Sequence, residues 1–297
     1  MKILYIGVHT QETWRAEYWL SKAFINLGHK VIEYDYKSNR KKFKTWRKIG
    51  KELSYLEKNT KPDIIFLQRG RKMSPMAFNL LESPIIYWST EPIKLKNDAD
   101  KLLYSNKFEW VFVHSYSCLD RIKSEFPHLV KKCSVMHNAC PKDIINYDTE
   151  KSFLAIFNRN LSSRRKKWLQ PSEKYINIIQ GRFGNEYFDV LARSRVTFNK
   201  HTDKNRAVVG NLRMFEATGV GTCLLTDTGW NMKDLYEPDT EVVTYTSAEE
   251  AIEKASYLLA NESERASIAS AGQKKTLSSH TIFHRCQLID EVFQSKL

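Results

Sequence analysis

The densest chemistry in the chain lies between Asn211 and Asp227, where Arg213 and Glu216 stand three residues apart among apolar neighbours. On a helix this spacing puts both charged groups on one face, while Leu212 and Phe215 anchor the segment to a core. Such a pair is either a local ion pair or the cationic and carboxylate halves of a binding site. Gly219 and Gly221 then end the helix and permit close backbone approach ahead of the apolar run Cys223 to Thr226. Two further candidates stand at the ends of apolar runs. Glu91 follows Pro84-Ile-Ile-Tyr-Trp88-Ser-Thr, placing a carboxylate at the end of a strand where a general base is useful. The same position also suits a helix N-cap region, with Ser89 or Thr90 capping and Glu91 meeting the helix dipole. His9 follows the first such run in the same way, as a cleft group or as a solvated loop residue.

Charge adds a second theme. The 297 residues carry 47 Lys and Arg against 34 Asp and Glu, a net charge of +13. Residues 1–200 hold 37 basic and 20 acidic side chains, and residues 201–297 hold 10 and 14. The basic residues concentrate between Lys37 and Lys51, with no acid among Lys37, Arg40, Lys41, Lys42, Lys44, Arg47, Lys48 and Lys51, and again at Arg159 and Arg164 to Lys167. Fields of this kind draw polyanions or anionic surfaces, or serve as a solubilising face. Phe43 and Trp46 interrupt the first cluster and offer stacking surfaces.

The elements that must position these groups follow from hydrophobic periodicity. Short apolar runs at 3–8, 30–34, 63–67, 84–88 and 110–113 alternate with helical segments, including 14–27 and one long basic helix carrying Phe43, Trp46, Ile49, Leu53 and Leu56, stopped by Pro62. The pattern restarts after Glu150, with strands at 153–157, 176–179, 196–198, 223–226 and 242–245, a helix from Arg164, a helix over 211–218, and helices from Ala248 onward. Continuous apolar strands alternating with helices imply parallel sheets covered on both faces. The expectation is an α/β chain of two Rossmann-like domains, residues 1–150 and 151–275, with 276–297 a C-terminal helix packing back on the first. Ligands then lie beyond the carboxyl ends of the strands, in a cleft between the domains.

Several classes drop out. No apolar stretch approaches the ~18 residues of a membrane span. The opening apolar run is short and soon followed by polar residues, so it reads as a strand and not as a signal peptide, and a cytoplasmic setting is expected. Five scattered cysteines without a C-x-x-C pair support neither a disulfide framework nor a structural zinc. Asp98-Ala-Asp100 lies in a polar, helical segment and reads as a solvated face rather than a metal site. Gly181 and Gly184 around Arg182 lack phosphate-loop spacing.

The Asn211 to Asp227 window, together with Leu235-Tyr-Glu-Pro-Asp239, Tyr257 to Arg265, Ala271-Gly272 and Ser279 to Arg285, resembles the C-terminal domain of the GT-B glycosyltransferases related to the spore-maturation protein CgeB. The likeness runs over roughly residues 190–293. Upstream, Phe157-Asn158-Arg159 followed by Arg164 resembles the phosphate-side loop of that domain, and Lys2 to Asp35 resembles a GT-B first strand, helix and second strand. The resemblance implies a transferase with a nucleotide-sugar donor, UDP-sugar above all, and no required metal or other cofactor. It places Glu216 on the donor ribose, where vicinal hydroxyls find a carboxylate acceptor. Arg159, Arg164, Arg165 and Arg213 are then the cations for the diphosphate. Asn158, Asn199, His201, Asn211, Gly219 and Thr226 complete the expected donor contacts. In the wider retaining pattern a second Glu precedes the ribose-binding one by eight residues, and here that position is Val208.

Glu91 and His9 are the expected catalytic or sugar-positioning groups of the first domain, and Lys41, Lys42, Lys44 and Trp46 its expected acceptor contacts. Basic clusters in both domains lean toward a polyanionic acceptor, namely hydroxymethylated DNA bases. The alternatives are a membrane-peripheral transferase of cell-surface glycan docked on anionic lipid, and a non-catalytic sugar or nucleotide binder that Val208 keeps in view.

Overall fold

The computed structural model describes residues 1–10, 12, 15–90, 93, 100–142, 153–158, 177–179, 182–201 and 208–296. The chain divides into two compact units, Met1–His137 with Phe283–Leu297, and Asn138–Ile282.

In the first unit six parallel strands form one sheet in the order β2-β1-β3-β4-β5-β6: β1 (Lys2–Gly7), β2 (Lys30–Asp35), β3 (Ile64–Gln68), β4 (Ile85–Ser89), β5 (Phe108–Val113) and β6 (Cys133–Val135). The apolar runs are strands because they are buried on both faces; β3 and β4 have no exposed residue. The strand order reverses between β1 and β3, which is where open sheets of this type leave a crevice at their carboxyl ends. Helix α1 (Ala16–Asn26) links the first two strands. The C-terminal helix, Ile282–Lys296, belongs mostly to this unit: Phe293 stacks on Phe24 with centroids 5.6 Å apart, and His29 Nε2 lies 2.9 Å from Asp290 Oδ1.

The expected single basic helix is two helices. α2 (Tyr36–Phe43) is capped by Asp35, whose carboxylate accepts from the Lys37 and Ser38 amides, and it ends where Lys44 turns left-handed at φ 65°. α3 (Trp46–Thr60) starts afresh, with the Thr45 side chain accepting from the Lys48 amide. The apolar stripe of Phe43, Trp46, Ile49 and Leu53 is continuous across the break, which is why periodicity alone joins the two.

The second unit carries a parallel sheet ordered β11-β10-β9-β7-β8, from β7 (Phe153–Asn158), β8 (Asn177–Ile179), β9 (Ser194–Asn199), β10 (Cys223–Asp227) and β11 (Val243–Tyr245). Its order repeats that of the first five strands of the other sheet, so each unit is Rossmann-like. After α4 (Asp100–Leu103) and α5 (Tyr116–Glu125) of the first unit, the helices here are α6 (Asn185–Ala192), α7 (Leu212–Gly219), α8 (Ala248–Ala260) and α9 (Glu262–Ser279). Helix α7 is buried along nearly its whole length. The two α/β halves expected from the alternating runs are thus present. The short strand β6 is an addition, since Cys-Ser-Val carries too little apolar signal to stand out.

Candidate functional site

In the second unit the carboxyl ends of β9 and β10 meet the N-terminus of α7. Asp227, the last residue of β10, is buried and holds both residues that follow β9. Lys200 Nζ lies 2.8 Å from Asp227 Oδ2, and the His201 amide donates to the same carboxylate at 3.0 Å. His201 Nδ1 is 2.7 Å from Asp227 Oδ1. The other ring nitrogen, Nε2, accepts from the backbone N–H groups of Gly210 and Asn211 at 3.2 and 3.3 Å. Nε2 is therefore the bare nitrogen and Nδ1–H the donor to Asp227, a tautomer assigned from these partners. Burial on its own would raise the Asp227 carboxyl; the hydrogen bond from His201, and then the hydrogen bond and charge of Lys200, outweigh it and hold the group well below the ordinary carboxylate range.

A second chain of bonds fixes α7 from its other side. Asn211 is the N-cap, its Oδ1 accepting from the Met214 amide at 3.3 Å, and its Nδ2 donates to Asn199 Oδ1 at 2.9 Å. Asn199 Nδ2 donates in turn to Thr226 Oγ1 at 3.0 Å. The Asn231 side chain bonds both backbone groups of Val209, at 2.8 and 3.0 Å. Gly210 sits at φ 126°, a conformation other residues rarely take, so the turn into α7 needs glycine. The first turn of the helix is consequently rigid, with its N–H groups and positive dipole end presented at the strand ends.

Four of the expected donor residues, Asn199, His201, Asn211 and Thr226, thus come together, but as partners of one another that set the α7 N-terminus. His201 in particular has both ring nitrogens bonded within the chain, to Asp227 and to the Gly210 and Asn211 amides, and so helps to set the start of α7. Arg213 and Glu216 lie on α7 as the spacing requires, both buried; Glu216 Oε2 accepts from the Tyr187 hydroxyl of α6 at 2.7 Å. Gly219 does not join them. It ends α7 about 12 Å along the axis from Asn211, and its carbonyl accepts from Gln273 Nε2 at 3.0 Å. Asn158 closes β7 beside this group of strand ends, whereas Arg159, Arg164 and Arg165 lie outside the described residues. Residue-type reasoning missed Lys200, Asp227, Asn231 and Tyr187. A polar residue closing an apolar strand was a usable signal for Asp227, and Lys200 adjoins two residues already singled out.

In the first unit the His9 side chain is largely buried. Its Nε2 lies 3.0 Å from the Tyr5 carbonyl, its Nδ1 3.7 Å from Glu33 Oε2, and its ring meets Tyr5 edge-on. Burial lowers its pKa below the ordinary 6.5, against upward pulls from Glu33, the Tyr5 carbonyl, Glu17 and Asp35. The unfolded chain then takes up the proton more readily, so His9 contributes stability that is complete above about pH 6.5 and is lost as pH falls through the lowered value of the folded state. The slope of unfolding free energy against pH below 6.5 is expected to be shallower, by up to one proton, in His9→Gln than in the parent chain; equal slopes would show that His9 is not the group responsible. Glu91 lies outside the described residues.

Of the expected acceptor residues, Lys41 and Trp46 line a cavity of about 490 Å³ at the carboxyl ends of β1, β2 and β3. Lys42 and Lys44 do not line it; the Lys42 ammonium lies over the Phe43 ring, 4.9 Å from its centroid, and Lys44 forms the left-handed end of α2.

Residues 159–291 match the family model described as "Glycosyl transferase-like". A glycosyltransferase from Rickettsia africae superposes with a TM-score of 0.71 at 11% identity, covering 99% of this chain and 98% of the other. The chain carries the GT-B fold. Anabaena Alr3699/HepE, solved in complex with UDP and glucose, also gives a TM-score of 0.71 at 12% identity, over 99% of this chain and all of its own. The lipopolysaccharide outer core galactosyltransferase WaaB gives 0.63 at 13% identity, with both chains fully covered. No curated protein matches by sequence. The resemblance thus extends over the whole chain as a likeness in fold, and residues 159–291 are similar in sequence to the glycosyl transferase-like model. Among the described residues no helix is long and apolar enough to cross a membrane.

Proposed function

We propose that this GT-B chain transfers a sugar from a UDP-sugar to an acceptor hydroxyl, with the donor held by the second unit. The observation that carries the reading is the placement of the buried Glu216 carboxylate on α7, the helix whose N-terminus is fixed at the ends of β9 and β10. A diphosphate is stabilised by the first-turn N–H groups and the helix dipole, and the carboxylate accepts from ribose hydroxyls. In the reaction the acceptor oxygen bonds to the anomeric carbon, the bond from that carbon to the diphosphate oxygen breaks, and UDP departs with the charge that α7 stabilises. The acceptor proton passes to a base of the first unit, for which Glu91 remains the candidate. The HepE complexes contain UDP and UDP-glucose, which supports uridine as the base. Val208 is half-buried and supplies no carboxylate, so the sugar hydroxyls are held by other groups.

Glu216→Gln keeps an acceptor for Tyr187 and removes the charge. Loss of a charged hydrogen bond to ribose costs about 1.5–3 kcal/mol, so UDP should bind roughly 10- to 150-fold more weakly by calorimetric titration. An unchanged UDP affinity in a variant that unfolds at the parental midpoint would remove Glu216 from the site.

A further inference from the structure

The cavity of the first unit gathers cations from parts of the chain that are far apart in sequence. Helix α2 supplies Lys37, Arg40 and Lys41, and the loop after β3 supplies Arg69, Arg71 and Lys72. Arg15, before α1, adds a seventh, and among the described residues no carboxylate lines the cavity. Two of these charges are already answered: Arg15 Nε lies 2.5 Å from Glu12, and Arg69 Nη2 lies 3.6 Å from the buried Glu17. The other five have no acidic partner within 4 Å among the described residues. Val8, Tyr36 and Trp46 form the apolar part of the wall, and the Arg40 guanidinium lies 5.2 Å over the Trp46 ring.

The loop holding three of the cations is locked in an unusual conformation. Arg69, Gly70 and Lys72 have φ of 71°, 58° and 64°. The Arg69 amide donates to the Trp88 carbonyl at 2.9 Å, the Tyr87 hydroxyl donates to the Arg69 carbonyl at 3.1 Å, and the Met73 amide donates to the Gly70 carbonyl at 3.0 Å. A Cβ at Gly70 would stand 2.6 Å from Leu102 Cδ1. Non-glycine residues persist in this region of backbone space only where the surroundings over-determine them. Here that fixes where Arg69 and Lys72 leave the backbone, at the strand-order reversal between β1 and β3.

We infer that this cavity binds the acceptor through a phosphate or diphosphate group, with a saccharide body against Trp46 and Tyr36. The inference rests on the donor reading above for the word acceptor. A single carboxylate would neutralise one of the five cations that lack an acidic partner among the described residues, whereas a phosphate carries up to two charges and three acceptor oxygens, and a diphosphate more. Arginine adds planar, paired donors suited to such oxygens. The volume lies within the range of small-molecule sites. The convergence of the charges on a concavity, rather than their spread along a track, separates this reading from the DNA acceptor expected from composition.

Inorganic pyrophosphate, titrated calorimetrically into the full chain with UDP held at saturation, tests the assignment. Lys41→Gln/Arg71→Gln/Lys72→Gln changes only exposed side chains, and an unaltered unfolding midpoint confirms its fold. The expected result is pyrophosphate binding that weakens at least tenfold in the triple variant while UDP affinity is unchanged. Displacement of pyrophosphate by a hexose 6-phosphate identifies a soluble phosphorylated saccharide. Displacement by phosphatidylcholine vesicles containing phosphatidic acid, and not by vesicles without it, identifies a lipid-borne phosphate. No pyrophosphate binding, or binding that the triple variant leaves intact, overturns the inference while the donor site stands. So does a duplex oligonucleotide that binds more tightly than pyrophosphate and loses that binding in the triple variant. Failure of UDP to bind would overturn the donor reading and, with it, the acceptor role.

Discussion

Asp227→Asn should destabilise the chain more than any other change at the donor site. The substitution keeps the size of the side chain but withdraws the negative charge from Lys200 and His201, whose side chains are 6% and 9% exposed. Removing one partner of a buried pair leaves the other charge buried without its counter-ion, at a cost of about 3–5 kcal/mol. The loss should appear as a lower urea midpoint at unchanged slope. Because the fold depresses the Asp227 pKa, its stabilisation is complete above the ordinary value of 3.8 and is lost as pH falls below that through the depressed value. The acid limb of the stability profile should therefore flatten in the variant. Adding Lys200→Met to Asp227→Asn removes the stranded ammonium and should restore part of the stability, since apolar replacement of a buried pair is often neutral or better. A single variant of parental stability, or a double variant no better than the single, would show that the pair contributes little. In UDP titrations the single variant should also bind more weakly, because His201 holds Gly210 and Asn211 through the same carboxylate.

Gly272→Ala is expected to be nearly as damaging, for a reason of space alone. Gly272 lies in α9 where that helix crosses α7, and a Cβ there would overlap the carbonyl oxygen of Glu241. The obstacle is backbone, so relief requires α9 to move. That movement disturbs the bonded hydroxyls of Thr218, Tyr236 and Thr276, which lie 2.6–3.0 Å apart at the same contact. Overpacking against a part that cannot rotate away belongs at the upper end of the usual range, about 3 kcal/mol, or roughly 6–12 °C in the unfolding midpoint of a unit this size. A midpoint within 2 °C of the parent would mean that α9 does not lie against the Glu241 carbonyl in solution.

Parallel strands such as β3 and β4 are legible in the sequence because both faces are buried, so apolar character is continuous and needs no knowledge of partners. The Arg213 and Glu216 spacing is legible for a similar reason, being local to one helix. The division between α2 and α3 is not, because the apolar stripe crosses it and only the Thr45 cap and the left-handed Lys44 mark the break. The Asp227 network joins residues 26 and 27 positions apart through the register of β9 with β10, in which Asn199 faces Thr226. Nothing in either segment alone announces it. Composition likewise places positive charge near Lys41 without showing that Arg69, Arg71 and Lys72 converge on the same cavity. That convergence follows from β1 lying between β2 and β3, a property of sheet order.

The central claim, a nucleotide-sugar site built on α7, is tested most directly by thermal unfolding of the purified chain with UDP, GDP, CDP and dTDP in turn. A ligand present at ~100 times its dissociation constant stabilises the folded state by ~2.7 kcal/mol. UDP should raise the midpoint by several degrees, the other three by less, and Glu216→Gln should abolish most of the UDP shift. Equal or absent shifts with all four nucleotides, in a chain that is otherwise folded, would contradict the claim.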